Sequence, residues 1–443
     1  MTKALHRHSL DAEFPVAVKG DGVYLIDRDG KRYLDGSCGA AVSCLGHSNE
    51  RVRDAIKSQV DALEFAHTRF FTNEPMEALA EDLLSDAPRG LTKAWFTCGG
   101  SESIEAALKI TRQYFVETGE PQRRHVIGRL QSYHGTTAGA LSAGGNIGRR
   151  AVFEPLLLGA MHHISPCFAY RGQRADETEA AYGQRVADEL EAKILELGPE
   201  TVAAFVAETV VGSTLGCVPA VPGYFKRIRE ICDRYGVLLI LDEVMCGMGR
   251  TGRRYACEDE GIAPDFIALA KGLSGGYLPL GAVLISDKVH NAIEAGSNAV
   301  MHSHTYTGHP MSCAAALAVQ REVRERDLLA NVRKMGGMLK SALSEQFGTH
   351  RYVGDIRGRG LFLALELVRD RRTKEPFEAE LKLAERIRVR AMENGLICYP
   401  MGGVVDGKRG ENVMIAPPFI VEERHIFELV DKLNKTFDDV LRS

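Results

Sequence analysis

No stretch of this 443-residue sequence reaches 18 uncharged apolar residues, so no conventional membrane-spanning helix is expected. None of its ten cysteines, spread from Cys38 to Cys398, forms a Cys-x-x-Cys pair with another. That spacing excludes a zinc-ribbon module and a secreted disulfide mini-protein, and it fits reduced thiols in a cytoplasmic protein. An excess of basic charge is also missing. The 55 Lys and Arg residues against 59 Asp and Glu leave a net charge of −4, which gives no support for nucleic-acid binding. The opening residues MTKALHRHSLDAEF lack the apolar segment of a signal peptide, so no secretory leader is expected. There is no fixed-period repeat and no low-complexity tract.

What is present is globular composition, 45% hydrophobic and 26% charged. The length allows two to three domains of about 150 residues. The 45 glycines point to tight turns or ligand-cradling loops. Near the start, Val23 to Asp27 and Lys31 to Asp35 flank Asp29-Gly30, a hairpin signal. The middle of the chain alternates helical patterns (50–64, 75–86, 101–117, 177–196, 221–235) with short apolar runs. Those runs, at 94–97, 201–207, 237–241, 266–270 and 281–285, predict strands of a mainly parallel sheet in an α/β domain. The segment 178–197 reads as a surface helix. After about residue 325, long charged helices (325–346, 377–394, 421–441) surround a few strands such as 361–367, which predicts a smaller α+β domain completed by the N-terminal hairpin.

Three places can carry chemistry. In Phe96-Thr97-Cys98-Gly99-Gly100-Ser101-Glu102-Ser103 a strand runs into two glycines and a helix whose apolar face holds Ile104, Leu108, Thr111 and Phe115. Unpaired amides at such a helix start suit a phosphate, or the segment is a plain turn with Ser101 as N-cap. In Val237 to Val244 an apolar run ends in Asp242-Glu243. A carboxylate at a strand end serves either a protonated ligand nitrogen or an ion pair with Arg250 or Arg253. In Asp265 to Gly276 an apolar run ends in Lys271 before a glycine-rich turn. An amine in an apolar pocket is primed for Schiff-base chemistry, whereas a surface lysine snorkels. Gly247-Met248-Gly249-Arg250-Thr251-Gly252 fits a dinucleotide fingerprint, but the following residues show little helical periodicity and the upstream carboxylates repel a pyrophosphate. Tyr133-His134-Gly135 offers an aromatic face for a planar cofactor. His302, His304 and His309 have no Cys or acidic ligand close by, so no metal is expected.

Phosphate cradle, aromatic shelf, strand-end Asp and Gly-flanked Lys, in that order, are the needs of pyridoxal 5′-phosphate. From about residue 20 to 440 the sequence resembles the class III (omega) aminotransferases. The most specific stretches are Leu241 to Gly252, Ala270 to Ala282, Thr305 to Pro310 and Ala416-Pro417-Pro418. The resemblance implies a fold-type I enzyme: a large domain with a mainly parallel seven-stranded sheet, plus a smaller α+β domain from both termini. The expected division is residues 1–65 for the N-terminal part of the small domain, 66–324 for the large coenzyme domain and 325–443 for the C-terminal small domain. It implies that Lys271 forms the internal aldimine and shuttles the proton, and that Asp242 partners the ring nitrogen. Val244 and Tyr133, with His134, would flank the ring, while Gly100 and Ser101 would hold the phosphate. Glu208 matches an acidic residue near the coenzyme oxygen. Thr305 matches a threonine reaching the phosphate of a neighbouring subunit, so a homodimer with shared sites, or a tetramer built from it, is expected.

Departures from the family pattern bear on substrate. Ornithine-type members carry an arginine where this chain has Met414 and its partner glutamate where it has Ser213. The resemblance therefore points to members that use amines or omega-amino acids as donors and pyruvate as acceptor. Arg409 is the candidate for the substrate carboxylate, and Ala41, Arg69 and Phe70 fall where the family builds its pocket. The expected activity is a ping-pong transaminase. Rival readings are a decarboxylase, phospho-lyase or racemase on the same fold, a nicotinamide-dependent oxidoreductase, and a regulatory protein that kept the coenzyme site.

Overall fold

A computed structural model describes residues 14–441. The expected absence of a leader concerns mainly residues 1–13, which lie outside that range. At the centre is a seven-stranded sheet in the order Leu91–Thr97, Gly281–Ser286, Phe266–Leu269, Leu238–Asp242, Val202–Glu208, His125–Arg129, Met161–Ile164. Gly281–Ser286 runs antiparallel to both of its neighbours, and the other neighbouring pairs are parallel. Every residue of Val202–Glu208 and of Leu238–Asp242 is buried. Strands covered on both faces need unbroken apolar runs, which is why these two were readable in the sequence. The strands His125–Arg129 and Met161–Ile164 were not anticipated, because HVIGR and MHHI mix polar and apolar residues.

Helices cover both faces of this sheet. Gly100–Glu117 buries Ile104, Leu108, Thr111 and Phe115, the anticipated face. Glu179–Leu197, read from its charge as a surface helix, also buries Tyr182, Val186, Leu190 and Ile194 against the main core. Its partner in that core, Tyr224–Tyr235, starts at Gly223 and ends at Gly236, both in the left-handed region that favours glycine.

The chain ends build two further sheets. Ala17–Asp21, Tyr24–Asp27 and Arg32–Asp35 form an antiparallel meander, and Leu396–Ile397 adds to it in parallel beside Leu34. The hairpin turn carries Gly30 at φ 81°, as the Asp-Gly signal requires. Val353–Arg359, Phe362–Leu367, Glu411–Ile415 and Tyr399–Gly402 form a four-stranded antiparallel sheet. Helices Leu328–Phe347, Leu383–Glu393 and Glu423–Leu441 contribute to the core around these sheets. The last of these buries Ile426, Leu429, Val430, Leu433, Phe437 and Val440. That three-and-four spacing makes one apolar stripe, each large side chain contributing about 1.5–3 kcal/mol of burial. Among the described residues, no helix is long and apolar enough to cross a membrane.

Candidate active site

Three adjacent parallel strands deliver the chemistry to one edge of the large sheet. Asp242 is the last residue of its strand, in register with Glu208 on one side and Ala268 on the other. Lys271 follows two residues beyond Phe266–Leu269. Carboxyl ends of parallel strands are where open α/β sheets bind ligands. Gly100, Ser101, Tyr133, Glu208, Asp242 and Lys271 line one cavity there, together with His134 and Val244. Val210, Met245 and Cys246 also line it, three residues that no sequence signal singled out.

Lys271 sits at φ 50°, in the left-handed region where a residue with a Cβ is strained. Such a conformation costs on the order of 1–3 kcal/mol and recurs at functional positions. Its carbonyl accepts from the amides of Ser274 and Gly275, which holds the turn. Burial lowers the amine pKa from 10.5 to about 8; Asp242 and Glu208 oppose that shift and Arg149 adds to it. The side chain has no hydrogen-bond or ion-pair partner among the described residues, a condition that keeps an amine available as a nucleophile.

The two adjacent carboxylates have separate surroundings. Asp242 Oδ2 lies 2.8 Å from His134 Nδ1, and Oδ1 accepts from the Val244 amide at 2.9 Å. An ionised carboxylate only accepts, so the imidazole proton belongs on Nδ1. Glu243 turns away from the cavity. It accepts from the Thr209 hydroxyl and from the amides of Ala256 and Cys257, and burial still raises its pKa to about 7. Neither carboxylate pairs with the nearby arginines. Arg250 donates to the carbonyls of Leu361 and Pro417, while Arg253 pairs with Asp259. Glu208 accepts from the amides of Tyr133 and Gly212, and burial raises its pKa. It thereby ties the aromatic shelf to the sheet edge.

The residues fit pyridoxal 5′-phosphate. Helix Gly100–Glu117 begins at Gly99 without a side-chain cap, and its first three amides have no hydrogen-bond acceptor among the described residues. A Cβ on Gly100 would stand 2.8 Å from Val244 Cγ1, and one on Gly135 would stand 2.6 Å from Ser101 Oγ. The two glycines thus keep side-chain atoms out of a narrow cradle. The Ser101 hydroxyl accepts from the Thr136 amide at 3.1 Å. Open amides for a phosphate, an aromatic ring and a valine for the ring faces, a buried carboxylate and an unpaired amine are the donor set this coenzyme requires.

Other anticipated residues stand elsewhere. Ala41 is buried, at φ 63°, in an apolar cluster with Val210, Cys246 and Met414 behind the cavity. Thr305, Arg69 and Phe70 are exposed and do not line the cavity of their own chain. Arg409 pairs with Asp406 at 2.9 Å in an exposed loop and does not line it either. Arg149, which sequence reading passed over, stacks on Tyr133 at 4.6 Å from the ring centroid. Its only signal was an Arg-Arg pair three residues after Asn146. The segment from Gly247 to Gly252 runs as turns with no helix, so it lacks the frame a dinucleotide needs. The rings of His302 and His304 meet edge to face at 4.8 Å. Among the described residues no group of three or more His, Cys, Asp or Glu is placed to hold a metal ion.

Comparison with known proteins matches a family model of class III aminotransferases to residues 7–437. An uncharacterized aminotransferase of Schizosaccharomyces pombe is 46% identical, covering 95% of this chain and 92% of its own length. An uncharacterized aminotransferase of Bacillus subtilis is 39% identical over 98% of both chains. The crystal structure of an omega transaminase from Pseudomonas jessenii in complex with PMP superposes with a TM-score of 0.93. Its sequence is 34% identical, with coverage of 99% of this chain and 96% of that one.

Proposed function

The chain belongs to the class III aminotransferase family, which is pyridoxal-phosphate-dependent, and from that premise we propose that it transfers an amino group from an amine or omega-amino acid to a keto acid, with pyruvate as the favoured acceptor. The observation that carries the reading is the convergence of Lys271, Asp242 and the open helix start at Gly100 and Ser101 on one cavity. Pyridoxal 5′-phosphate, once bound, supplies an aldehyde carbon for a primary amine and a cationic ring that draws electron density from the carbon losing its proton.

The chain's own residues do the rest. The amides of Gly100 and Ser101, with the Ser101 hydroxyl, hold the phosphate. Tyr133 and Val244, which line the cavity, would flank the ring. Asp242, oriented by His134, would favour a proton on the ring nitrogen, because an unpaired charge on a buried carboxylate is costly. Lys271 would hold the coenzyme, and its amine is the base within the cavity that would take the proton from the substrate's amine-bearing carbon. With a pKa of about 8, its amine is unprotonated in a useful fraction near neutrality. The two half-reactions follow in turn at the same cavity, so ping-pong kinetics are expected.

The donor assignment rests on Met414 and Ser213. Met414 is fully buried in an apolar cluster with Val210 and Cys246, and it is these two that line the cavity, so that side of it is apolar. An apolar wall accepts an amine's hydrocarbon body and gives a second carboxylate nothing to pair with. We further propose a homodimer in which Thr305, exposed on its own subunit, completes the partner's phosphate site. The scattered cysteines, with no Cys-x-x-Cys pair among them, support a cytoplasmic location. A donor screen tests the activity, following conversion of the bound coenzyme from its aldehyde to its amine form, with pyruvate and 2-oxoglutarate compared as acceptors. Conversion by amine alone is expected, and Lys271→Ala should lose turnover. Release of carbon dioxide or phosphate without that conversion, or near-normal turnover of the variant, would count against it.

A further inference from the structure

We propose that Gln320 is a positioning residue for Lys271, its side-chain amide gripping the two carbonyls that follow the lysine and holding the turn that sets the amine in the cavity. The assignment rests on the transaminase reading above and concerns a residue that does not itself line the cavity. Lys271 occupies the left-handed region, which a residue with a Cβ keeps only when its surroundings impose it. The backbone is anchored from outside on both sides of it. Two residues upstream, the Leu269 carbonyl accepts from the Ser103 hydroxyl at 3.1 Å, which ties the strand end to the helix that starts at Gly100. Downstream, Gln320 Nε2 donates to the Gly272 carbonyl at 3.1 Å and to the Leu273 carbonyl at 2.8 Å. The Gly272 carbonyl also accepts from Cys44 Sγ at 3.5 Å, a weak donor.

Gln320 is an exception within its own helix, Pro310–Glu325. Its neighbours Ala316, Leu317, Val319 and Val323 are buried and apolar, and Gln320 is itself only 4% exposed. A side-chain amide in such a place is costly unless its hydrogens are bonded, and the two carbonyls match the two hydrogens of one NH2 group. The helix is a firm base for that grip. Cys313, Ala316 and Leu317 pack into the core of the large sheet, while Ala315, Val319 and Val323 pack into the core shared with the terminal sheets. Val319 also meets the turn, since a Cβ on Gly275 would stand 3.4 Å from its Cγ2. Lys271–Leu273 is a single short helical turn, too short to bond its own last carbonyls, and Gly272 and Leu273 are both buried. Without Gln320 those carbonyls lose a donor away from water, a loss relieved by admitting water or by rotating the turn. Either change brings the Lys271 amine closer to solvent, so both act on it in the same direction.

The experiment reads the Lys271 amine in the coenzyme-free protein, by competitive labelling with an amine-reactive reagent across pH and mass spectrometry of its peptide. The proteins are wild type, Gln320→Met, Gln320→Glu and Val323→Ala. Methionine keeps the length without a donor. Gln320→Met should raise the midpoint from about 8 toward the solvated value, by roughly 1, and cut labelling at pH 7 roughly tenfold. A neutral glutamic acid keeps the shape and one donor, so Gln320→Glu should fall between, and it carries the test where the methionine variant does not fold. Val323→Ala removes packing from the same helix without removing a donor; it should lose stability and keep the wild-type midpoint. In the coenzyme-loaded enzyme, Gln320→Met should lower kcat for an amine donor roughly 10- to 100-fold with KM within about twofold, the pattern of a misplaced reactive group. A wild-type midpoint in Gln320→Met, or an equal rise in Val323→Ala, would overturn the proposal, as would a loss confined to KM. Because labelling needs neither coenzyme nor turnover, a raised midpoint in the variant of an enzyme that transfers no amino group would sink the transaminase reading and leave the Gln320 anchor standing.

Discussion

The ionisation of Lys271 is the most direct probe of the site, because burial and charge act on it in opposite directions. Burial takes the amine from 10.5 to about 8, a displacement worth about 3 kcal/mol. At pH 7 roughly a tenth of such an amine is unprotonated, against about one in three thousand for a solvated lysine. Competitive labelling of the coenzyme-free protein with an amine-reactive reagent, followed by mass spectrometry of the Lys271 peptide, reads this midpoint directly. Asp242 favours the protonated amine, so Asp242→Asn should move the midpoint further down, by roughly 1. Asparagine preserves the shape and can still accept from His134, which keeps the test electrostatic. Glu208→Gln should act in the same direction. The linkage sign also follows. The folded state binds fewer protons than the unfolded state between pH 8 and 10.5, so this lysine's contribution to stability rises with pH across that window. A wild-type midpoint at 10 or above, or an upward shift in Asp242→Asn, refutes the picture of a desolvated amine balanced by a buried carboxylate.

Two further predictions concern packing and pH. Gly100→Ala gains about 1 kcal/mol of helix propensity but sets a Cβ 2.8 Å from Val244 Cγ1, and overpacking of this kind costs about 1–3 kcal/mol. Coenzyme affinity should fall roughly tenfold and partly recover in Gly100→Ala with Val244→Ala; equal affinity in wild type and single variant would show that the cradle tolerates a methyl group. Glu411 is buried, its Oε2 has no partner, and burial alone raises its pKa from 4.5 to about 7. The folded state therefore holds an extra proton between those values, and the associated stability, present below pH 4.5, is lost as pH rises through 7. Glu411→Gln should be more stable than wild type at pH 8, by on the order of 1–3 kcal/mol, with little difference at pH 5. Denaturant titrations at both pH values decide it, and a variant no better at pH 8 rejects the assignment.

Most of the sheet was readable because its central strands are buried on both faces, so their sequences are unbroken apolar runs. Two kinds of element escaped. The strands His125–Arg129 and Met161–Ile164 lie at one side of the sheet and carry His and Arg, which broke the pattern. Helix Pro310–Glu325 was passed over for the opposite reason. Its less buried face carries Met311, Ala314 and Ala318 before any charge appears at Arg321, so no polar face marks its period. The surface helix expected at 178–197 is present as Glu179–Leu197, with one face solvated and the other in the core.

The site divides along a similar line. Lys271, Asp242 and Gly100 were legible because each ends an apolar run or opens a helix, and chain direction alone then brings strand ends to one edge. The Asp242-Glu243 pair shows where that logic stops. Sequence places two carboxylates together, but only the loop 243–257 decides that Glu243 folds back onto the amides of Ala256 and Cys257. Arg149 is the stronger case. Adjacent arginines read as solvated charge, and which of the two lies on the Tyr133 ring depends on one cap, Asn146, and on Gln131 gripping the 403–404 backbone. That backbone begins the loop holding Arg409, so this loop buttresses the helix that sets Arg149 on Tyr133.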